Sequence, residues 1–310
     1  MAVWMLKAAV QGTISLLPQS RTWNYILQKY ITRSLDLDEA QFWVKLLYAR
    51  RHLENCFRSQ FREGNRINVL ELGTGWYPVI PIAFYLCGAS KIWTIDKEPL
   101  LRPDCAKRTL RLFADFVGRG NLLPVLPWVR RDRISALLSA NDHGNSMIAK
   151  TLAQLNIEVL VRDARHTGLE QGSIDFVLSN SVLQEIPEQI LSAIFLEFRR
   201  LASTVGVMSH YVNMVEPYAE FDRALTPYHF LRYSDRTWKL LNNSLHYHNR
   251  LRIPDYRTIH GSAGFRILQE DNERGSTEDL DKVHLAQKFR RYSQDDLLIT
   301  RSWITSTAEV

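Results

Sequence analysis

The stretch INVLELGTGWYPVIPIAFYLCGASKIWTIDKE, residues 67–98, decides the fold. Its first six residues form an apolar run that reads as a buried parallel strand, and Gly73-Thr74-Gly75 follows as a tight turn. A helix is predicted from Pro78 to a stop at Gly88, with proline at its first position and glycine past its last. A second strand, 91–95, ends in Asp96. Strand, glycine turn, helix, strand and acid make the first half of a nucleotide-binding α/β domain.

The alternation continues outward. A helix over 103–117 carries Leu110, Phe113, Ala114 and Val117 on one face. Strands at 157–161 and 174–178 lead into Asp163-Ala164 and Ser179-Asn180-Ser181. Pro187 starts a helix to about 201, with Ile190, Ile194, Leu196 and Phe198 as its apolar positions, and 206–209 reads as a fifth strand. Two late strands at 265–268 and 297–300 flank a polar surface loop over 272–282. The expected architecture is α/β, a doubly wound, mostly parallel seven-stranded sheet. Residues 1–64 form an N-terminal helical cap. Within it Leu35, Leu37, Ala40, Val44, Leu47 and Ala49 make a stripe on a helix capped by Asp36 or Asp38. The remaining 65–310 form the ligand-binding domain. It carries one insertion at about 119–155, with the basic cluster Arg130-Arg131-Asp132-Arg133, and another at 210–264 that is dense in aromatics and histidine.

With 310 residues, 45% hydrophobic and 23% charged, the chain is long enough for a sizeable core. A net charge of +6 fits an anionic ligand or a mildly basic enzyme. The basic cluster lacks aromatic interleaving, so nucleic acid is not an expected partner. Three cysteines in no metal-type or disulfide pattern point to a reducing, cytoplasmic compartment. The first 17 residues are apolar without a basic leader, which argues against a signal peptide and leaves an amphipathic helix that rests on a membrane or packs on the domain. His246 and His248 share a strand-like spacing, but no third ligand is evident and no metal is expected.

In doubly wound sheets, ligands bind beyond the carboxyl ends of the strands. That rule gathers Gly73 to Gly75, Asp96, Asp163, Asn180 and His210 at one crevice. On these positions the chain resembles the class I S-adenosylmethionine (SAM) dependent methyltransferases. Glu71-Leu72-Gly73-Thr74-Gly75 is similar to their first motif, Asp96 to the acid ending the second strand, and Asp163-Ala164 to the third-strand contact pair. The run from Ser179 to Pro187 resembles the fourth-strand motif of small-molecule members. The resemblance implies SAM as cofactor. Asp96 and the neighbouring Lys97 would lie at the ribose, Asp163 and Ala164 at the adenine, and Glu71, Gly73, Thr74, Gly75 and Asn180 toward the methionine end.

A dinucleotide competes for the same turn. Pro78, however, stands where the third glycine of that fingerprint belongs, and it removes an N–H that a pyrophosphate would seek. Bulky Trp76-Tyr77 crowds the same place, and SAM has no phosphate to be harmed by either feature. The expected reaction is methyl transfer to a small organic acceptor, aromatic or acidic, with oxygen the expected methylated atom. The rivals are a lipid acceptor reached through peripheral membrane contact and a non-catalytic scaffold. The candidate catalytic groups are His210, at the expected end of the fifth strand, and Glu185, where relatives carry Glu-His before Ile-Pro and this chain has Gln184-Glu185. The aromatics of 210–264 suit the acceptor, and Arg232, Arg236, Arg250 and Arg252 are available to an acidic group.

Overall fold

The computed structural model describes residues 12–13, 36–58, 66–142, 148–219, 222–243, 245 and 247–309. Its centre is a seven-stranded sheet in the order β3-β2-β1-β4-β5-β7-β6. The strands are β1 (Asn68–Leu72), β2 (Lys91–Asp96), β3 (Ile157–Val161), β4 (Ile174–Asn180), β5 (Ala202–Asn213), β6 (Phe265–Arg274) and β7 (Ile299–Ala308). β1 to β5 are parallel, and β7 runs antiparallel between β5 and β6. The chain reverses direction across the sheet beside β1, where β2 and β4 flank it, so the switch point falls at the glycine turn.

The longer helices among the described residues are α1 (Glu39–Arg58), α2 (Val79–Leu86), α3 (Pro103–Gly118), α4 (Arg131–Asp142), α5 (Ile148–Gln154), α6 (Glu188–Leu201), α7 (Asp235–Leu241) and α8 (Ile253–Ser262). Strand parity sorts them into two layers. Val69, Ile92, Phe176, Leu178 and Val207 point into a core built with α1, α2 and α3. Leu70, Leu72, Ile95, Val177, Met208 and Ile304 point into the opposite core, built with α6 and α8. Every residue of α2 is buried, as its apolar sequence VIPIAFYL requires.

Several expectations shift in register. α1 does begin where an aspartate can cap it, since the Gln41 N–H donates to Asp38 Oδ1 at 2.7 Å. Its buried face is Phe42, Leu46, Ala49, Leu53 and Cys56, whereas Val44 and Leu47 are exposed. The earlier part of the cap, including Leu35, lies outside the described residues apart from 12–13. α6 buries Leu191, Ile194, Phe195, Phe198 and Leu201, an i, i+3, i+4, i+7, i+10 stripe that leaves Leu196 in solvent. The 119–155 insertion is largely helical and packs as α4 and α5 beside α3 and β3. The expected loop at 272–282 instead completes β6 and adds a helical turn, Thr277–Asp281, that buries Leu280. Among the described residues no helix is long and apolar enough to cross a membrane.

The aromatic insertion effectively starts at residue 214, because 210–213 complete β5. It is tied over the β4 exit by Asn249, whose side-chain amide donates to Leu183 O at 2.8 Å and to Ile186 O at 2.9 Å. Two of the four arginines expected to meet an acidic ligand, Arg250 and Arg252, are instead its framework. The Arg252 guanidinium is fully buried and donates to the carbonyls of Met214, Leu297 and Ile299. The Arg250 guanidinium donates to Phe230 O, Tyr233 O and Asp235 Oδ1, and its centre stacks 5.0 Å from the Trp238 ring. Buried donors need acceptors, and here backbone carbonyls of the insertion and of the entry to β7 supply them. Arg232 and Arg236 remain exposed.

Candidate functional site

The glycine turn is held on both sides. The Gly73 N–H donates to Ile95 O on β2 at 2.8 Å, and the Gly75 N–H donates to Asp96 Oδ2 at 3.0 Å. Both glycines are left-handed, with φ of +80° and +67°. They differ in what surrounds them. A Cβ on Gly73 would fall 2.4 Å from Val182 Cγ2, whereas one on Gly75 would meet no atom within 4 Å. Gly73 is therefore required by packing, and Gly75 leaves a cradle over its backbone that a ligand can enter. Gly73→Ala is expected to lower stability by about 1–3 kcal/mol, from strain and overpacking together. Gly75→Ala should cost about 1 kcal/mol, for backbone strain alone, yet fill the cradle. Thermal melts and ligand titration of the two variants separate these effects, and equal melting losses would contradict the assignment.

Glu71 lies beneath the turn. It is buried, and its Oε2 accepts the Thr74 hydroxyl at 2.9 Å. Burial pushes its carboxyl up to about 8, with the nearby Asp96 adding to the rise and the Thr74 hydrogen bond and Lys45 opposing it. Thr74 is itself buried, and Lys97 is exposed just past β2.

Asp163 stands two residues beyond Val161, the β3 partner of Asp96. Arg165 grips its carboxylate through two side-chain nitrogens at 2.5–3.0 Å and through the backbone N–H at 2.9 Å, which holds its pKa down at about 2. Ala164 beside it is buried. At the end of β4, Asn180 Oδ1 is buried without a hydrogen-bond partner, and Ser181 follows in the left-handed region at φ +56°. A polar atom buried without a partner costs free energy that a ligand donor can recover.

Neither catalytic candidate stands where the sequence suggested. β5 extends to Asn213, so His210 lies within the strand rather than at its end. Its parity turns it away from Glu71 and Asn180 toward α6 and α8. There its Nδ1 lies 2.8 Å from Ser179 Oγ and its ring packs on Phe195, Phe198 and His260. Burial among these rings depresses its basicity well below the usual histidine range, so it is neutral and faces away from Asn180. Glu185 is exposed on the one-turn helix Leu183–Glu185, and Gln184 takes the inward place, its Oε1 accepting from Asn213 N at 3.4 Å. His248 is buried with Nδ1 accepting the Arg250 N–H, while His246 lies outside the described residues.

The structure also brings in groups the motifs did not mark. Tyr211, level with Asn180 on β5, packs on Tyr48 of α1 at 5.0 Å and on Trp303 of β7 at 4.9 Å. α1 presents Lys45, Tyr48 and His52 along one face. Their i, i+3, i+7 spacing inside an otherwise apolar helix face was the available signal.

A parallel sheet ordered 3-2-1-4-5-7-6 with only β7 reversed decides the fold type. The chain has an α/β methyltransferase fold. Solved structures similar to it include a SAM-dependent methyltransferase of Clostridium acetobutylicum, with 10% identity, 94% of this chain and 99% of that chain covered, and a TM-score of 0.45. Another is a SAM-dependent methyltransferase of Methanosarcina mazei, with 13% identity, coverage of 82% and 97%, and a TM-score of 0.43. A third is the geranyl diphosphate C-methyltransferase of Streptomyces coelicolor, solved with Mg2+, geranyl diphosphate and S-adenosyl-L-homocysteine, with 11% identity, coverage of 84% and 77%, and a TM-score of 0.45. No family model and no curated protein matches the chain. In this methyltransferase fold the glycine turn, Asp96, Asp163 and Asn180 all lie at carboxyl ends of β1 to β4, as the sequence analysis expected. Among the described residues no cluster of three or more His, Cys, Asp or Glu side chains is placed to hold a metal.

Proposed function

We propose that the protein is a SAM-dependent methyltransferase acting on a small organic acceptor, with oxygen the methylated atom. The observation that carries this reading is one ledge at the carboxyl edge of the sheet: an open cradle over Gly75, the Asp96 carboxylate beside it, buried Glu71 beneath and the unpartnered Asn180 Oδ1 next to it. A dinucleotide fits less well. Pro78 caps α2 without an N–H, Pro81 in its first turn has none either, and the Val79 N–H already donates to Tyr77 O, so the helix start is poor in donors for a pyrophosphate.

When bound, SAM supplies an electrophilic methyl on a sulfonium. The chain's part is to orient and exclude water. Asp96 would accept from the ribose hydroxyls, Asp163 and Ala164 would border the adenine, and Glu71 and the Gly73 region would face the methionyl ammonium. Asn180 and Tyr211 would stand toward the acceptor. With His210 buried on the far face, the chemistry suited to this ledge is a pre-ionised acceptor such as a carboxylate, which needs no general base.

Titration with S-adenosylhomocysteine by calorimetry tests the reading, and its pH dependence tests Glu71. In the free protein the raised carboxyl is protonated below about 8. That protonated form stabilises the free fold at low pH, and the contribution is lost as pH rises through 8. A ligand ammonium beside Glu71 favours the ionised form, so binding expels a proton below pH 8. Affinity should then rise between pH 6 and 7.5, by up to about tenfold per unit. A flat profile would remove Glu71 from the ammonium site. No binding at any pH would leave a scaffold with this fold.

A further inference from the structure

α1 and β5 run in opposite directions across the same face of the sheet. His52 Nδ1 lies 2.9 Å from Ser209 Oγ, and Asn55 Nδ2 donates to that same hydroxyl at 3.0 Å. One turn toward the helix N-terminus, Tyr48 packs on Tyr211, two residues nearer the carboxyl end of β5. Four residues of helix and two of strand each span about 6–7 Å, so the two elements stay in step. Lys45 is three residues further along, about 4.5 Å beyond Tyr48 toward the ligand edge.

Glu71 belongs to this face too. It is level with Leu178 on β4, which is level with Ser209 on β5. Lys45 and Glu71 sense each other's charge, and no described carboxylate forms an ion pair with the Lys45 ammonium. Its strongest influence is desolvation, which lowers its pKa. An ammonium facing a ligand cradle, partly desolvated and in no ion pair with a carboxylate of the described residues, is placed to receive an anion.

We propose that Lys45, carried into the cofactor site by α1, binds the carboxylate of the amino-acid end of the methyl donor. This rests on the SAM reading above and deepens it. The methionyl group is a zwitterion. Set between Glu71 and Lys45, its ammonium lies on the acid and its carboxylate on the base. α1 is then part of the donor site and not only a packing layer. The adenosine half makes no use of Lys45.

That division gives the test. S-Adenosylhomocysteine and 5′-methylthioadenosine share the adenosine and the thioether, but only the first has the amino-acid end. Both are titrated into the full chain and its Lys45→Met and Lys45→Arg variants. Lys45→Met should lose tenfold or more in affinity for S-adenosylhomocysteine and nothing for methylthioadenosine, and Lys45→Arg should recover most of that loss. Retained methylthioadenosine binding shows that the variant is folded. Equal losses for both ligands would make Lys45 a structural residue. Unchanged S-adenosylhomocysteine affinity would overturn the assignment and leave the ammonium to a carboxylate of the acceptor. A wild-type chain that binds neither ligand would defeat the cofactor reading and this one together.

Discussion

Arg252→Leu should lower the free energy of unfolding by about 3–6 kcal/mol, because each buried carbonyl left unpaired costs about 1–3 kcal/mol. The guanidinium bridges three carbonyls, Met214 O just past β5, Leu297 O and Ile299 O at the entry to β7. Leucine fills part of the space and reaches none of them. Burial lowers the Arg252 pKa to about 10, so it is still charged at neutral pH, and removing that charge returns part of its desolvation cost. The carbonyls dominate, since they belong to backbone that cannot turn to water without opening the β5–β7 ladder. Urea unfolding of the variant measures the loss. Arg232→Leu, at an exposed position stacked 5.8 Å from the Tyr233 ring, is the control and should stay within about 0.5 kcal/mol. Equal effects for the two would mean that the insertion is held by something other than its buried arginines.

The second large effect is on the ligand. Asp96→Ala removes both the acceptor of the Gly75 N–H and the carboxylate proposed for the ribose. Hydrogen bonds to a charged group are worth about 1.5–3 kcal/mol each, so affinity for S-adenosylhomocysteine should fall about 100-fold. Asp96→Asn keeps an acceptor for Gly75 but loses the charge, and should fall between wild type and alanine. The melting temperature should move little in either variant, since Asp96 is only partly buried. Undiminished affinity in Asp96→Ala would mean that the ligand lies elsewhere. A collapse of the fold would show that the acid serves the turn alone.

Much of this arrangement was legible in the chain because it is local. An apolar run into Gly73-Thr74-Gly75, Pro78 before an apolar helix and Asp96 closing the next strand each carry their own reason for their conformation. The same holds at Pro187, which caps α6, and at Asp38, which caps α1. Glu71, Asp163 and Asn180 could be placed because a strand end is a local event. What lay beyond reach depended on partners far along the chain. The apparent end of β5 at 209 moved to 213 because β7, about 100 residues later, pairs with it as far as Asn213. That extension put His210 inside the strand and, through the two-residue repeat, on the face away from the ligand.

Arg250 and Arg252 show the same limit from the other side. In sequence they are two basic residues in an aromatic insertion, suited to an acidic ligand. Only the packed structure reveals that backbone carbonyls of the insertion and before β7 needed them. Lys45 runs the opposite way: one of many lysines in sequence, it gains its place because α1 lies antiparallel to β5 and against Glu71's face. The sequence by itself determined the alternation of elements, the glycine turn and the acids that follow the strands, since turn chemistry and hydrophobic period act over a few residues. Only the tertiary structure decided which histidine is buried, which arginines are framework and which helix leans over the cradle. Those are questions of pairing register and of which face meets which, and they are answered by contacts between residues from 15 to 157 positions apart.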